Sequence, residues 1–231
     1  MADAFTPQIK DHVKQTHLAT LQFRRAIKAF DKTKSIDPAD FQFILQAARL
    51  APSSNGLEPW NIIVLDEPKL RAEFVSRTGA RPEQALDAAK LVAFTCKTAK
   101  GIDPDGDYLA HIGTAVHGMD AAAVAAWRQR FRGFLETRIR VWGSADAMYG
   151  YTARQAYLAL ENALTAAAAI QVDTCALEGL DYSQADQVLA EAGLINLELD
   201  RFAVGAVFGY RAEDPKRPQE RRCFDEVVRF A

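Results

Sequence analysis

Three short segments carry residue types that hold anionic or planar ligands. Arg24-Arg25-Ala26-Ile27-Lys28 sets three cations within five residues. Arginine offers a planar fork of donors suited to phosphate, and lysine a compact point charge. The plain alternative is a solvated basic helix end stabilised by the helix dipole, and spacing alone favours it. Ala51 to Trp60 (APSSNGLEPW) brackets small polar residues between two prolines. Backbone N–H groups and hydroxyls exposed in such a loop bind anions without net charge. Its plain reading is a helix-to-strand connection with Trp60 packed in the core, and alone that reading wins. Thr174 to Asp181 (TCALEGLD) contains Glu178-Gly179, where glycine lets a planar group approach the main chain. The alternative there is a helix-to-helix turn hinged on the glycine.

The elements that must position these segments follow from periodicity and caps. Pro7 to Phe23 reads as an amphipathic helix through Ile9, Val13, Leu18 and Leu21. Asp37-Pro38 is an N-cap followed by proline at the first helical position. The helix it opens carries Phe41, Ile44, Leu45 and Ala48 on one face and ends near Ala51-Pro52. Asn61–Leu65, Leu91–Cys96 and Phe202–Phe208 read as buried strands, with a possible last strand at Val227–Phe230. Helices are expected from Pro68 to about Ser76, from Met119 to about Trp142, and from Thr152 to Ile170. Gly101–Asp107 and Arg211–Arg222 read as loops. Helices outnumber strands without regular alternation, which points to a single three-layer α+β domain over 1–231.

The 231 residues are 49% hydrophobic and 25% charged, ordinary for a globular chain with a core of real size. A net charge of −2 gives no global attraction to nucleic acid or to an anionic membrane. Cys96, Cys175 and Cys223 are odd in number and form no CxxC pair, so reduced thiols in a cytoplasm are expected. No apolar run reaches signal-peptide or membrane-spanning length. A G-x-G-x-x-G turn, a P-loop, H-E-x-x-H and G-x-S-x-G are all missing. His111 and His117 stand six apart, not at the i,i+4 spacing of a helical ligand pair, so no metal site is expected.

In order along most of the chain, these pieces resemble the nitroreductase family of FMN enzymes. The match runs through R-R-x-x-K-x-F-D at Arg24 to Asp31, APSSNGLEPW, LDAAKLVAFTCKT at Leu86 to Thr98, ARQAYLALENAL at Ala153 to Leu164, DTCALEGLD, and Arg221-Arg222. The resemblance implies a three-layer fold with a central mixed, mainly antiparallel sheet flanked by helices. It also implies a domain-swapped homodimer with two FMN sites built from both subunits.

Carried over position by position, Arg24, Arg25, Ala26 and Lys28 form the basic FMN-binding segment. Arg24 serves the phosphate with Arg222 and neighbouring Arg221, and Lys28 lies at the pyrimidine edge. Pro52, Ser53 and Ser54 belong to the loop that reaches across from the partner. The backbone of Glu178 and Gly179 faces the ring near N5. A cation at Lys28 would favour the anionic reduced flavin. Departures are Ala26 in place of serine, Gly56 and Glu58 in place of asparagine and glutamine, and Glu220 in place of a basic residue. In Arg81-Pro82-Glu83-Gln84, Gln84 stands in for a pyrimidine contact.

Residues 103–150 align poorly and are expected to form a helical lid, with Phe131 and Phe134 either stacking on substrate or facing the core. The implied activity is ping-pong electron transfer from NADH or NADPH to nitroaromatics and quinones. Enone, pteridine or free-flavin reduction, or a flavin-holding protein without turnover, are the alternatives.

Overall fold

The computed structural model describes residues 6–231. Helix α1 (Pro7–Phe23) starts at Thr6, whose hydroxyl accepts from Ile9 N–H at 3.3 Å. Helix α2 (Pro38–Arg49) starts at Asp37, which accepts from Ala39 N–H at 2.8 Å. Both place proline in the first turn, where its missing N–H costs no hydrogen bond. Then follow β1 (Trp60–Val64), α3 (Pro68–Thr78), α4 (Pro82–Ala85), β2 (Lys90–Lys97), α5 (Asp107–His111) and α6 (Ala121–Gly133). The chain continues through α7 (Ala145–Ala169), β3 (Asp173–Leu177), α8 (Tyr182–Glu191), β4 (Asp200–Gly209) and the one-turn helix α9 (Phe224–Val227).

The four strands lie in the order β1-β2-β4-β3, and every neighbouring pair is antiparallel. The parallel component expected of a mixed sheet shrinks, among the described residues, to an isolated bridge between Ala26 and Thr174. Strands β2 and β4 are central and covered on both faces, hence their unbroken apolar runs. On one face Val92, Phe94, Val204 and Ala206 meet α2 and α7. On the other, Leu91, Ala93, Phe202 and Val207 meet α3 and α8. The alanines of α7 (Ala156, Ala159, Ala163, Ala167) let that helix lie close on the sheet.

Several expectations are corrected. The segment read as a possible helix-to-helix turn contains β3, and α8 follows it. Val227–Phe230 is not a strand: Val227 is the last residue of α9, and 228–230 pair with no strand among the described residues. The helix expected from Met119 to Trp142 breaks at Gly133 into a wide turn over Phe134–Arg138, closed by Ile139 N–H to Phe134 C=O at 3.1 Å. A matching wide turn over Ile112–Val116 is closed by His117 N–H to Ile112 C=O at 2.9 Å. Both bonds span five residues, the π-type geometry that inserts an extra residue into a helix.

At the other end of β3, β4 runs on with β2 alone as its partner. The last β3 pair is Leu177 with Gly205, whereas β4 begins at Asp200. Phe202 N–H donates to Asp186 at 2.6 Å, and Phe202 C=O accepts from the Tyr149 hydroxyl at 2.9 Å. Arg201 pairs with the same Asp186. No helix among the described residues is long and apolar enough to cross a membrane.

Candidate functional site

The basic segment leaves α1 and runs beside the start of β3. Ile27 N–H donates to Thr174 C=O at 3.0 Å, and Phe30 bridges Arg211. Ile27 and Phe30 are the apolar anchors, at 6% and 4% exposure, packed with Phe74, Leu91 and Val207. Alternation along this extended stretch turns Ala26 and Lys28 outward. The buried Gln84 donates its amide to Ile27 C=O at 2.8 Å, so it props the basic segment from behind.

Lys28 Nζ donates to Cys175 Sγ at 3.2 Å, which brings the ammonium over β3. Arg24 and Arg25 are half-buried. The tail crosses behind them, with Arg25 donating to Pro218 C=O at 3.3 Å and the Gln219 amide donating to Arg24 C=O at 3.1 Å. Arg221 and Arg222 follow directly and are exposed. A cavity of about 200 Å³ opens between Arg25–Ala29 and Glu213–Lys216. Lys216 is thus a further cation on the basic segment, which sequence reading missed because its place depends on the path of the tail.

Glu178 and Gly179 stand at the far end of β3. The turn is fixed by Leu180 N–H to Glu178 C=O at 2.8 Å and by Asp181 N–H to Thr78 C=O at 2.9 Å. The Glu178 carboxylate accepts from the Tyr157 hydroxyl of α7 at 2.6 Å. Burial, and then this hydrogen bond, push the Tyr157 phenol well above its ordinary value, so it stays a donor. Among the described residues the N–H groups of Glu178 and Gly179 have no acceptor, and a Cβ built on Gly179 meets nothing within 4 Å. Two free donors therefore border open space. From Thr174 to Gly179 the strand covers roughly 16 Å. Cations stand at one end and main-chain donors at the other, an arrangement that suits a long ligand with an anionic head and a planar polar ring.

Pro52–Ser54 lies elsewhere. Ser54 N–H donates to Gln155 of α7 at 2.8 Å, and Ser53 Oγ accepts from Glu58 N–H at 2.8 Å. Gln155 and Tyr157 are two positions apart, about 200° around the helix, so this loop and Glu178 occupy opposite sides of α7. Within the chain no hydrogen bond joins Pro52–Ser54 to Arg24–Lys28 among the described residues. The loop contains left-handed Asn55, Gly56 and Glu58, with φ of 58°, 65° and 46°. At Gly56 a Cβ would lie 2.9 Å from His117 Nε2, so the imidazole fills the space a side chain there would need. Gly56→Ala should therefore lose about 1–2 kcal/mol from left-handed strain and displace His117. Thermal unfolding reads this, and adding His117→Ala should relieve only the collision. An unchanged midpoint would mean the loop is not constrained there.

The two candidate aromatics divide. Phe131 is 1% exposed, packed with Leu57, Trp127, Leu135 and Tyr151, so it is a core residue and presents no face to a ligand. Phe134 stacks on it, with centroids 6.3 Å apart and planes at 23°, and is only half-buried. The wide turn beginning at Phe134 rotates the two rings apart in exposure.

Comparison with known proteins bears on the fold and the family. The family model described as Nitroreductase family matches residues 21–210. The Bacillus subtilis (strain 168) protein named "Putative NAD(P)H nitroreductase YfkO" is 34% identical over 218 residues, covering 94% of this chain and 98% of that one. The solved nitroreductase family protein of Streptococcus pneumoniae TIGR4 superposes with a TM-score of 0.73 at 22% identity, over 93% of this chain and 99% of that one. A protein of Exiguobacterium sibiricum 255-15 solved in complex with FMN gives a TM-score of 0.71 at 17% identity, over 93% and 97% of the two chains. Those two solved structures bear on the fold alone.

Proposed function

Because this chain belongs to the nitroreductase family, we propose that it is an FMN-dependent oxidoreductase that takes electrons from NADH or NADPH. Small organic acceptors, nitroaromatics and quinones among them, receive the electrons. The observation that carries this reading is the row along the outer edge of β3, from Arg24, Arg25 and Lys28 to the unspent N–H groups of Glu178 and Gly179. FMN fits it: a phosphate for the arginines, a ring edge that gains negative charge on reduction for Lys28, and ring acceptors for the main-chain donors. Bound there, FMN supplies two-electron chemistry at N5, with donor and acceptor using one pocket in turn.

The chain's own residues bind, orient and exclude water. Arg24, Arg25, Arg221 and Arg222 hold the phosphate end, beside the outward-facing Ala26. Gln84 keeps the basic segment in place, and Lys28 stabilises negative charge near the pyrimidine. Tyr157 and Glu178 fix the turn whose N–H groups meet the ring. Since Pro52–Ser54 lies across α7 from its own chain's Glu178, it suits the site of a second copy, and we assign a domain-swapped homodimer. Residues 103–150 are the lid of the same single domain, with Phe134 its ring toward substrate. A cytoplasmic setting suits the free thiols of Cys96, Cys175 and Cys223.

The test is a visible spectrum of the purified protein after FMN addition and desalting, followed by NAD(P)H oxidation with menadione. About one retained flavin per subunit with sustained turnover is expected. Retained flavin without turnover would leave a carrier, and a colourless protein would overturn the reading.

A further inference from the structure

We propose that Cys175 is a positioning residue whose thiol aims the Lys28 ammonium across the outer edge of β3 without neutralising it. The inference rests on Lys28 meeting the cofactor as assigned above. Lys28 Nζ donates to Cys175 Sγ at 3.2 Å across 147 residues of sequence, its single hydrogen bond among the described residues. The same sulfur donates to Ala176 C=O at 3.2 Å, so it is held from both sides. Cys175 is 2% exposed and packed with Ile27 and Leu177, so the anchor itself cannot swing away.

The choice of sulfur matters because of what it is not. A carboxylate at this position would hold the lysine more tightly and cancel its charge. Two carboxylates do share the cavity beside the basic segment, but neither is paired with Lys28: Asp214 lies 3.6 Å from Arg211 Nη1, and Glu213 forms no ion pair among the described residues. A weakly accepting, polarisable sulfur fixes direction and leaves the positive charge to whatever covers it. Strand alternation puts Cys175 on the α8 side of β3 while Glu178 points to α7. The residue that aims the cation therefore lies on β3, and the turn that offers the donors follows directly from its end.

The test measures the FMN midpoint potential and the affinity for oxidised FMN in Cys175→Ser, Cys175→Ala and Cys175→Asp. Serine keeps a neutral hydrogen-bonding group and should leave the potential close to wild type. Aspartate should weaken binding of reduced relative to oxidised FMN by about tenfold, equivalent to about 30 mV for a two-electron couple. Alanine should give a smaller drop in the same direction, rescued by serine. If the aspartate variant does not fold, the alanine change is repeated in a Lys28→Met background, where it should have no further effect on potential. Equal potentials in wild type and Cys175→Ala, or an alanine effect that persists without Lys28, would overturn the proposal while leaving the FMN assignment standing. A wild type that retains no FMN would overturn both.

Discussion

Lys28→Met is expected to slow reduction by NAD(P)H by about a hundredfold, the scale of losing one preorganised electrostatic donor. FMN should remain bound and its midpoint potential should fall. Methionine keeps the unbranched reach and much of the volume while removing the charge. Lys28 is exposed, and its ammonium bonds to the Cys175 sulfur and to no carboxylate among the described residues. In the free protein water therefore screens its charge, which gains weight once a flat ligand covers it and excludes that water. The effect should concentrate on the reduced state, since the oxidised ring is neutral. Lys28→Arg should recover only part of the loss, because a planar guanidinium does not reproduce the ammonium's contact with Cys175. Anaerobic rapid-mixing kinetics and a dye-coupled potential measurement decide this. An unchanged rate together with an unchanged potential would remove Lys28 from the mechanism.

Asp173→Ala should cost about 3–5 kcal/mol of stability, the range for breaking a buried ion pair from one side. The Asp173 side chain is 4% exposed and that of Arg211 21%. Arg211 Nη2 reaches Asp173 Oδ1 at 2.6 Å, Nε reaches both oxygens at 3.0 Å, and Arg211 N–H reaches Oδ2 at 2.9 Å. Truncation would orphan all these donors at once. The guanidinium also lies 4.7 Å from the centre of the Phe23 ring, which hinders its escape to water. Because Phe30 bridges Arg211, the damage should spread to the basic segment and lower FMN affinity as well. Asp173→Asn keeps shape and one acceptor and should lose less. Urea unfolding monitored by circular dichroism supplies the measurement. A loss below about 1 kcal/mol would mean the pair is no better than a surface one.

Much of this architecture was legible in the chain. Apolar spacing marked α1, Asp37 before proline marked the start of α2, and compact apolar runs marked β1, β2 and β4. Strand β3 was hidden because Asp-Thr-Cys-Ala-Leu carries little intrinsic strand preference. Its conformation comes from pairing with Gly205–Gly209. Helix α8 did leave a trace: Asp181 caps it by accepting from Gln184 N–H at 3.0 Å, three residues on, ahead of Ala185, Val188 and Leu189. The wide turns at Ile112 and Phe134 have no signature in apolar spacing, which is why Phe131 and Phe134 could not be separated beforehand. For the candidate site, the sequence offered residue types but not their couplings. Tyr157 with Glu178, Gln84 with Ile27 and Cys175 with Lys28 depend on how distant segments fold against one another.

The bare stretch of β4 beyond Leu177 bears on how the protein behaves at high concentration. An unpaired strand offers a row of donors and acceptors to any passing chain and so seeds intermolecular sheets. Here Asp186 occupies the Phe202 N–H and Tyr149 occupies its C=O, while Arg201 adds charge on the rim. Side chains take the place of a longer β3 at Phe202, and the edge is closed to recruitment there. A crowded cell would therefore meet a colloidally quiet surface at this point, and changes at Asp186 would be felt as precipitation before they were felt in turnover.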